Sequence, residues 1–205
     1  MRLMKVGAYM SFMINGHNIF VIVLVTFLTS LLLIPIIKKV SIHVNAMDYP
    51  NSPRKIHKKP MPRLGGVAIF LSFMLGYMLF AKSSTMMLSI LMGSFLLTLV
   101  GFIDSINPVK ARYQLITHII AASTVVIYGG LVLNDVSFLG INLTFSYPFN
   151  YIVTIIFIIA FINMLNLIDG LDGLAAGISS IYFLTIAIIA LILNQMGGLD
   201  VTLAF

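Results

Sequence analysis

Four polar side chains are spaced evenly inside an apolar chain. Asn163, Asn166, Asp169 and Asp172 each follow the last by three residues within FINMLNLIDGLDGLAAG, residues 161–177. Residues three apart are near neighbours on a helix surface, so Asn166 meets Asp169, and Asp169 meets Asp172 if the helix lasts that far. Gly170 and Gly173 predict fraying or a turn at that point. Two neighbouring aspartates repel unless a cation joins them or one keeps its proton. Hard oxygen donors of this kind suit Mg²⁺, which keeps part of its water shell and shares the phosphate oxygens of a substrate. The alternative is a polar helix end resting at a membrane interface. The repeated pattern at the mouth of a helical assembly favours chemistry.

Two further stretches carry groups of complementary chemistry. In VGFIDSINPVKAR, residues 100–112, Asp104 ends an apolar run, Ser105 follows, and Lys110 and Arg112 open the next run. An aspartate there can cap the following element or act in chemistry, and this stretch alone does not choose. In DYPNSPRKIHKKPMPRLGG, residues 48–66, four prolines exclude a continuous helix. Arg54, Lys55, Lys58, Lys59 and Arg63 are gathered there with His57. Such a cluster anchors a chain against anionic headgroups. The prolines also give it a shape that an anchor does not need, and Arg and Lys in a shaped loop are good diphosphate ligands. Gly65 and Gly66 would admit close approach by another helix or by a ligand. His118, about a turn into an apolar run, is expected to hydrogen-bond between helices rather than to carry protons. His43 is expected to be solvated.

The elements that must position these groups are membrane helices. Of 205 residues, 60% are hydrophobic and only 9% charged, against about 25% charged in an ordinary globular domain. Runs long enough to approach a bilayer crossing occupy residues 18–37, 64–81, 86–103, 115–133, 151–168 and 174–193, and another begins at Val201. The expected fold is all-α and integral to the membrane. It is a polytopic bundle of about six transmembrane helices plus the start of a seventh, formed as a single transmembrane domain over residues 1–205. Residues 1–17 are read as an N-terminal tail rather than a cleaved leader. Residues 134–150 alternate around Gly140 and predict a short hairpin without chemistry of its own.

Charge sets the orientation. With the loop after the first span inside, nine Lys and Arg residues fall on the cytoplasmic side, and only Arg2, Lys5 and Lys82 fall outside. The N-terminus is then outside. Asp48, Asp104, Asp169 and Asp172 share the basic face. The net charge of +6 is therefore a topology signal and not a nucleic-acid groove, and no nucleic-acid partner is expected. With no cysteine in the chain, thiolate metal sites and thiol nucleophiles are excluded.

The three motifs, in this order, resemble those of the polyprenyl-phosphate N-acetylhexosaminyl-1-phosphate transferases, over residues 30–193. PRLGG and NLIDGLDG are similar to the branch that uses N-acetylglucosamine, and Arg63 and Ile168 speak against the muramoyl-pentapeptide branch. The resemblance implies transfer of N-acetylglucosamine-1-phosphate from UDP-GlcNAc to undecaprenyl phosphate with release of UMP. It implies dependence on Mg²⁺ or Mn²⁺ and a multi-pass protein of the bacterial cytoplasmic membrane with its active site on the cytoplasmic face. The products of that branch feed teichoic acid, enterobacterial common antigen and O-antigen synthesis. A homodimer is admitted by it, although no G-x-x-x-G signature lies in the middle of any span. By resemblance, Asp104, Asp169 and Asp172 are the catalytic positions, Asn166 and Asp169 the metal ligands, and Lys59, Arg63, Arg54 and His57 the substrate-binding side.

Two departures are visible. The family reads Asp-Asp where this chain reads Asp104-Ser105. It also continues through further helices, with a G-D-x-G-S-type aspartate and a histidine-rich loop, so the chain is expected to be the N-terminal part of a longer fold. An inactive, truncated or degenerate copy is the competing expectation. A transporter is disfavoured, because the acids lie at one end of the spans and not at their middle.

Overall fold

Asn18 opens the first long helix by accepting a hydrogen bond from the Phe20 N–H at 2.9 Å. The structure is a computed structural model that describes residues 13–50, 59–138, 141–169 and 173–195. Helix α1 spans Ile19–His43, α2 Gly65–Phe80, α3 Thr85–Ile106, α4 Ala111–Ser123, α5 Phe149–Ile168 and α6 Leu174–Gln195. These six helices fall on the six apolar runs read in the sequence. Where that reading ended the first span at Ile37, α1 carries on through Pro35, Lys38 and Lys39 to His43. The proline removes one N–H from the ladder, but the turns on either side hold. The expected run from Val201 lies outside the described residues.

Helices α1, α3 and α5 are long and apolar enough to cross a membrane. The 22 residues of α3 rise about 33 Å, against a hydrocarbon core of about 30 Å. The 16 residues of α2 rise only about 24 Å. Helix α4 does not end at Ser123 but loosens into a π segment, Thr124–Tyr128, where Gly129 donates to the Thr124 carbonyl at 3.2 Å. The Thr124 hydroxyl donates to the Ile120 carbonyl at 2.9 Å. Side-chain bonds of this kind compete with the backbone ladder and favour such an irregularity.

Each helix packs chiefly on its neighbours in sequence, with α1 against α2 the most extensive pair. The seams are made of small residues. A Cβ on Gly76 would overlap the methyl group of Thr26 across the α1–α2 seam. A Cβ on Gly93 would sit 3.2 Å from the Ala121 carbonyl oxygen, across the α3–α4 seam. Ser72, Ser89, Ala68, Ala121 and Ala122 are buried beside them. Lipid is as apolar as leucine, so close backbone approach drives helix association more than hydrophobic burial does. The large side chains point outward instead: Leu32 is 70% and Met78 74% exposed. Such a surface suits lipid, and the chain is a membrane protein.

The alternation of helix directions gathers the connections into two groups. At one end lie residues 44–50 and 59–64, the α3–α4 connection 107–110, and Asp169 after α5. At the other end lie residues 81–84 and two hairpins. The strands β1 (Met13–Ile14) and β2 (His17–Asn18) pair across an Asn15-Gly16 turn with φ of 50° and 83°, the left-handed pair that a two-residue turn of this type demands. This hairpin closes the stretch read as a tail, and Asn15 donates to the Phe80 carbonyl at the end of α2. Near the basic loop, β3 (Met47–Asp48) pairs with β4 (Met61–Pro62). The hairpin expected between the fourth and fifth spans is present as β5 (Asp135–Phe138) and β6 (Ile141–Thr144). Asn134 and Asn150 join it to α5 by a 2.9 Å side-chain bond.

Candidate functional site

Asp104 sits in the last turn of α3, half-buried. One of its carboxylate oxygens accepts from the Val109 N–H at 2.8 Å and from the Gln114 amide at 3.0 Å. Gln114 also donates to the Val109 carbonyl at 3.3 Å. The aspartate therefore closes the Asn107–Lys110 connection and ties the end of α3 to the first turn of α4. Both bonds fall on Oδ1. Among the described residues Oδ2 has no hydrogen-bond partner. The capping alternative and the chemical one are thus compatible, because the cap occupies Oδ1 alone.

Ser105 behaves differently. Its hydroxyl donates back to the Gly101 carbonyl at 2.8 Å, within its own helix. It adds no charge beside Asp104, although its oxygen can still accept.

At the end of α5, Asn163 turns its amide back to the Ile159 carbonyl at 2.8 Å. Asn166 is exposed one turn further on. The helix stops at Ile168, and Asp169 is its C-cap, off the helical path at φ −73° and ψ 51°. Its N–H donates to the Leu165 carbonyl at 3.2 Å, and its side chain is exposed. The expected turn is present, with Gly173 at φ 78° just before α6. Asp172 lies outside the described residues. Both α3 and α5 pack against α4 and end on the same side of it, so Asp104 and the Asn166–Asp169 pair share one end of the layer. No hydrogen bond or ion pair among the described residues joins the two groups.

The basic loop is closed at its base. Arg63 donates its N–H to the Ala46 carbonyl at 3.1 Å, and Ala46 donates to the Ser41 carbonyl at 2.8 Å. Ala46 and Leu64 are buried under this clamp, while the side chains of Lys59 and Arg63 are exposed. Arg54 and His57 lie outside the described residues. The double glycine after Leu64 does not seat another helix, because nothing among the described residues lies within 4 Å of a Cβ at Gly65 or Gly66. Leu64 also provides no side-chain cap. The Val67 N–H donates to the Leu64 carbonyl at 3.0 Å, and the N–H groups of Gly65 and Gly66 find no acceptor among the described residues, an arrangement beside Arg63 that favours an anion.

Asn166 and Asp169 offer hard oxygen donors with no protein partner among the described residues, which fits Mg²⁺ chemistry. The described residues hold no cluster of three His, Cys, Asp or Glu side chains, so the pair needs waters or substrate oxygens to complete a shell.

Residues 87–205 match glycosyl transferase family 4. The chain belongs to that family. The matched segment holds Asp104, Gln114, Asn166, Asp169 and Asp172, whereas the basic loop precedes it. The chain is also 35% identical over 177 residues to a Bacillus subtilis (strain 168) protein named probable undecaprenyl-phosphate N-acetylglucosaminyl 1-phosphate transferase. That similarity covers 85% of this chain and 49% of the relative, so the chain spans about half the length of the curated family 4 protein it matches. No solved structure matches it.

The sequence reading overlooked Gln114. An amide near the start of an apolar run, ten residues after an aspartate, was the available signal. It also expected His118 to bond between helices, but the His118 Nδ1 is buried with no hydrogen-bond partner among the described residues.

Proposed function

We propose that this chain supplies the cytoplasmic-face chemistry of a phosphosugar transferase. It would move N-acetylglucosamine-1-phosphate from UDP-GlcNAc to undecaprenyl phosphate. The reading rests on one observation above all: Asp104 and the Asn166–Asp169 pair end on the same side of α4 in a family 4 chain. In the reaction an oxygen of the lipid phosphate attacks the β-phosphorus of the nucleotide sugar. A new P–O–P bond forms, the α–β bridge breaks, and UMP leaves with the bridging oxygen.

Asp104 acts through its open oxygen to orient the lipid phosphate or take its proton, while Val109 and Gln114 hold the other oxygen still. Asn166 and Asp169 would hold Mg²⁺ or Mn²⁺, whose chemistry is to spread the diphosphate charge as it develops. By the resemblance Asp172, which lies outside the described residues, belongs to the same catalytic set. Lys59, Arg63, Arg54 and His57 draw the anionic donor to the open first turn of α2. Fixed cations and N–H groups lower the barrier because they are already oriented when charge moves.

The Lys and Arg bias of the sequence supports an active end in the bacterial cytoplasm with the N-terminus outside. Each of the six helices then crosses the bilayer, and a homodimer is compatible with the arrangement. The product would feed teichoic acid or O-antigen-type polymers. The competing reading, an inactive copy, is favoured by the Ser105 hydroxyl, which is spent on its own helix. A direct test supplies membranes containing the chain with radiolabelled UDP-GlcNAc or UDP-GalNAc, undecaprenyl phosphate and Mg²⁺. Label reaching the organic phase from UDP-GlcNAc alone supports the reading. Label from neither donor, with the protein inserted, supports the inactive copy.

A further inference from the structure

At the end of the layer opposite Asp104, a cavity of about 800 Å³ lies between α1 and α2 and is roofed by the start of α3. Its floor is the small-residue seam, with Thr26, Ser72 and Gly76, and Phe27 and Phe73 contribute to its walls. Along α2 it reaches from Phe80 to Ile69, about 16 Å of helix, close to the depth of one leaflet of the hydrocarbon core. Its mouth is polar. Lys82 lines it, with no carboxylate partner among the described residues, and Ser83 and Ser84 lie beside it. The Tyr77 hydroxyl stitches this mouth together by donating to the Lys82 carbonyl at 3.3 Å and accepting from the Ser84 N–H at 3.4 Å. The N–H groups of Thr85 and Met86, in the first turn of α3, find no acceptor among the described residues.

We propose that this cavity binds an anionic phospholipid of the leaflet opposite the catalytic face, with one acyl chain along the α1–α2 seam and its phosphate held by Lys82 and the first turn of α3. Charge and depth together select this occupant. An additional apolar helix laid on the seam would bring no negative charge to the ammonium or to the N-terminus of α3. The polyprenyl phosphate of the proposed reaction would have its phosphate at the wrong end, because Ser84 and Asp104 are separated by about 30 Å of helix. An anionic headgroup instead meets a cation and a helix N-terminus. The site would fasten the three helices that carry the basic loop and Asp104, and it stands whether or not the transferase reading holds.

The test is native mass spectrometry of the full chain released from detergent, titrated with phosphatidylglycerol or with phosphatidylcholine of the same acyl chains. One phosphatidylglycerol per chain should bind in preference to phosphatidylcholine. Lys82→Gln should weaken phosphatidylglycerol about five-fold, the factor that one surface cation carries towards an anionic headgroup, and leave phosphatidylcholine unchanged. Ser72→Leu or Ser30→Leu, each filling the seam, should weaken both lipids roughly ten-fold, the factor that two unburied methylenes carry. Circular dichroism on every variant separates lost binding from lost folding. Equal binding of the two lipids with no effect of Lys82→Gln would overturn the proposal. So would one-for-one displacement of phosphatidylglycerol by undecaprenyl phosphate, or a seam-filling variant that changes the oligomeric state instead of lipid binding.

Discussion

The Gln114 amide donates to the Asp104 carboxylate at 3.0 Å and joins the end of α3 to the start of α4 across the α3–α4 connection. The contact fixes a carboxylate at the end of α3 while leaving one of its oxygens without a partner among the described residues. A group held in this way loses little freedom when substrate arrives, which is what positioning contributes to a rate.

Asp104→Asn separates the two roles of this residue. Asparagine keeps an oxygen that can accept from Val109 and Gln114, so the connection should hold and helix content should be unchanged. The charge is gone, and turnover is expected to fall by at least about a hundred-fold, the scale commonly associated with losing a positioned acid–base group. Steady-state turnover beside circular dichroism checks this. Full activity would reduce Asp104 to a cap.

Gln114→Ala should act through Asp104. The loss of a hydrogen bond to a charged group is expected to lower kcat by about ten- to a hundred-fold with little change in KM for the nucleotide sugar. Gln114→Glu should be worse, because it sets a second carboxylate against the first. A rise in KM with kcat intact would place Gln114 in donor binding instead.

Asp169→Asn should shift the metal dependence. The half-saturating Mg²⁺ concentration for turnover is expected to rise by at least about ten-fold, with partial recovery at high Mg²⁺, since one hard charged ligand is exchanged for a neutral one. Removing the metal with a chelator should stop turnover in the native chain. An unaltered Mg²⁺ titration in the variant would remove Asp169 from the metal site.

Gly76→Ala probes the α1–α2 seam. The added Cβ would overlap the Thr26 methyl, and overpacking of this kind costs about 1–3 kcal/mol. Thermal unfolding in detergent should register the loss. Thr26→Ser, which removes that methyl, should restore most of it in the double variant. Additive losses would mean that the two helices do not meet there.

The helices were legible in the sequence because an apolar run of membrane length admits almost no other structure. The hairpin between the fourth and fifth spans was legible from alternation, and the break between Ile168 and Leu174 from the glycines themselves. The first helix runs past its uncharged stretch because Lys38 and Lys39 continue the ladder, and Pro35 weakens a helix without ending it when the turns on both sides hold. The π segment at Thr124–Tyr128 could not be read. It depends on hydroxyl bonding to the preceding turn, and periodicity does not record that. Asn15-Gly16 carried a strong turn signal, hidden by the basic, apolar character of the stretch before it. At the site, the sequence named Asp104 and Asp169, but not the partner that orients Asp104. A glutamine in an apolar helix advertises a need for a hydrogen bond and not its destination. Gly65 and Gly66 announced close approach without saying to what, and the open space around them excludes a neighbouring helix among the described residues.

The central claim is that the end of the layer carrying Asp104 and Asp169 performs phosphosugar transfer. The most direct measurement is UMP release by membranes carrying the native chain, Asp104→Asn or Ser105→Asp, with UDP-GlcNAc, undecaprenyl phosphate and Mg²⁺. Mg²⁺-dependent release is expected from the native chain, none above background from Asp104→Asn, and equal or greater release from Ser105→Asp. Release that survives in Asp104→Asn, or none from the native chain and Ser105→Asp when both are shown to be inserted, would contradict it.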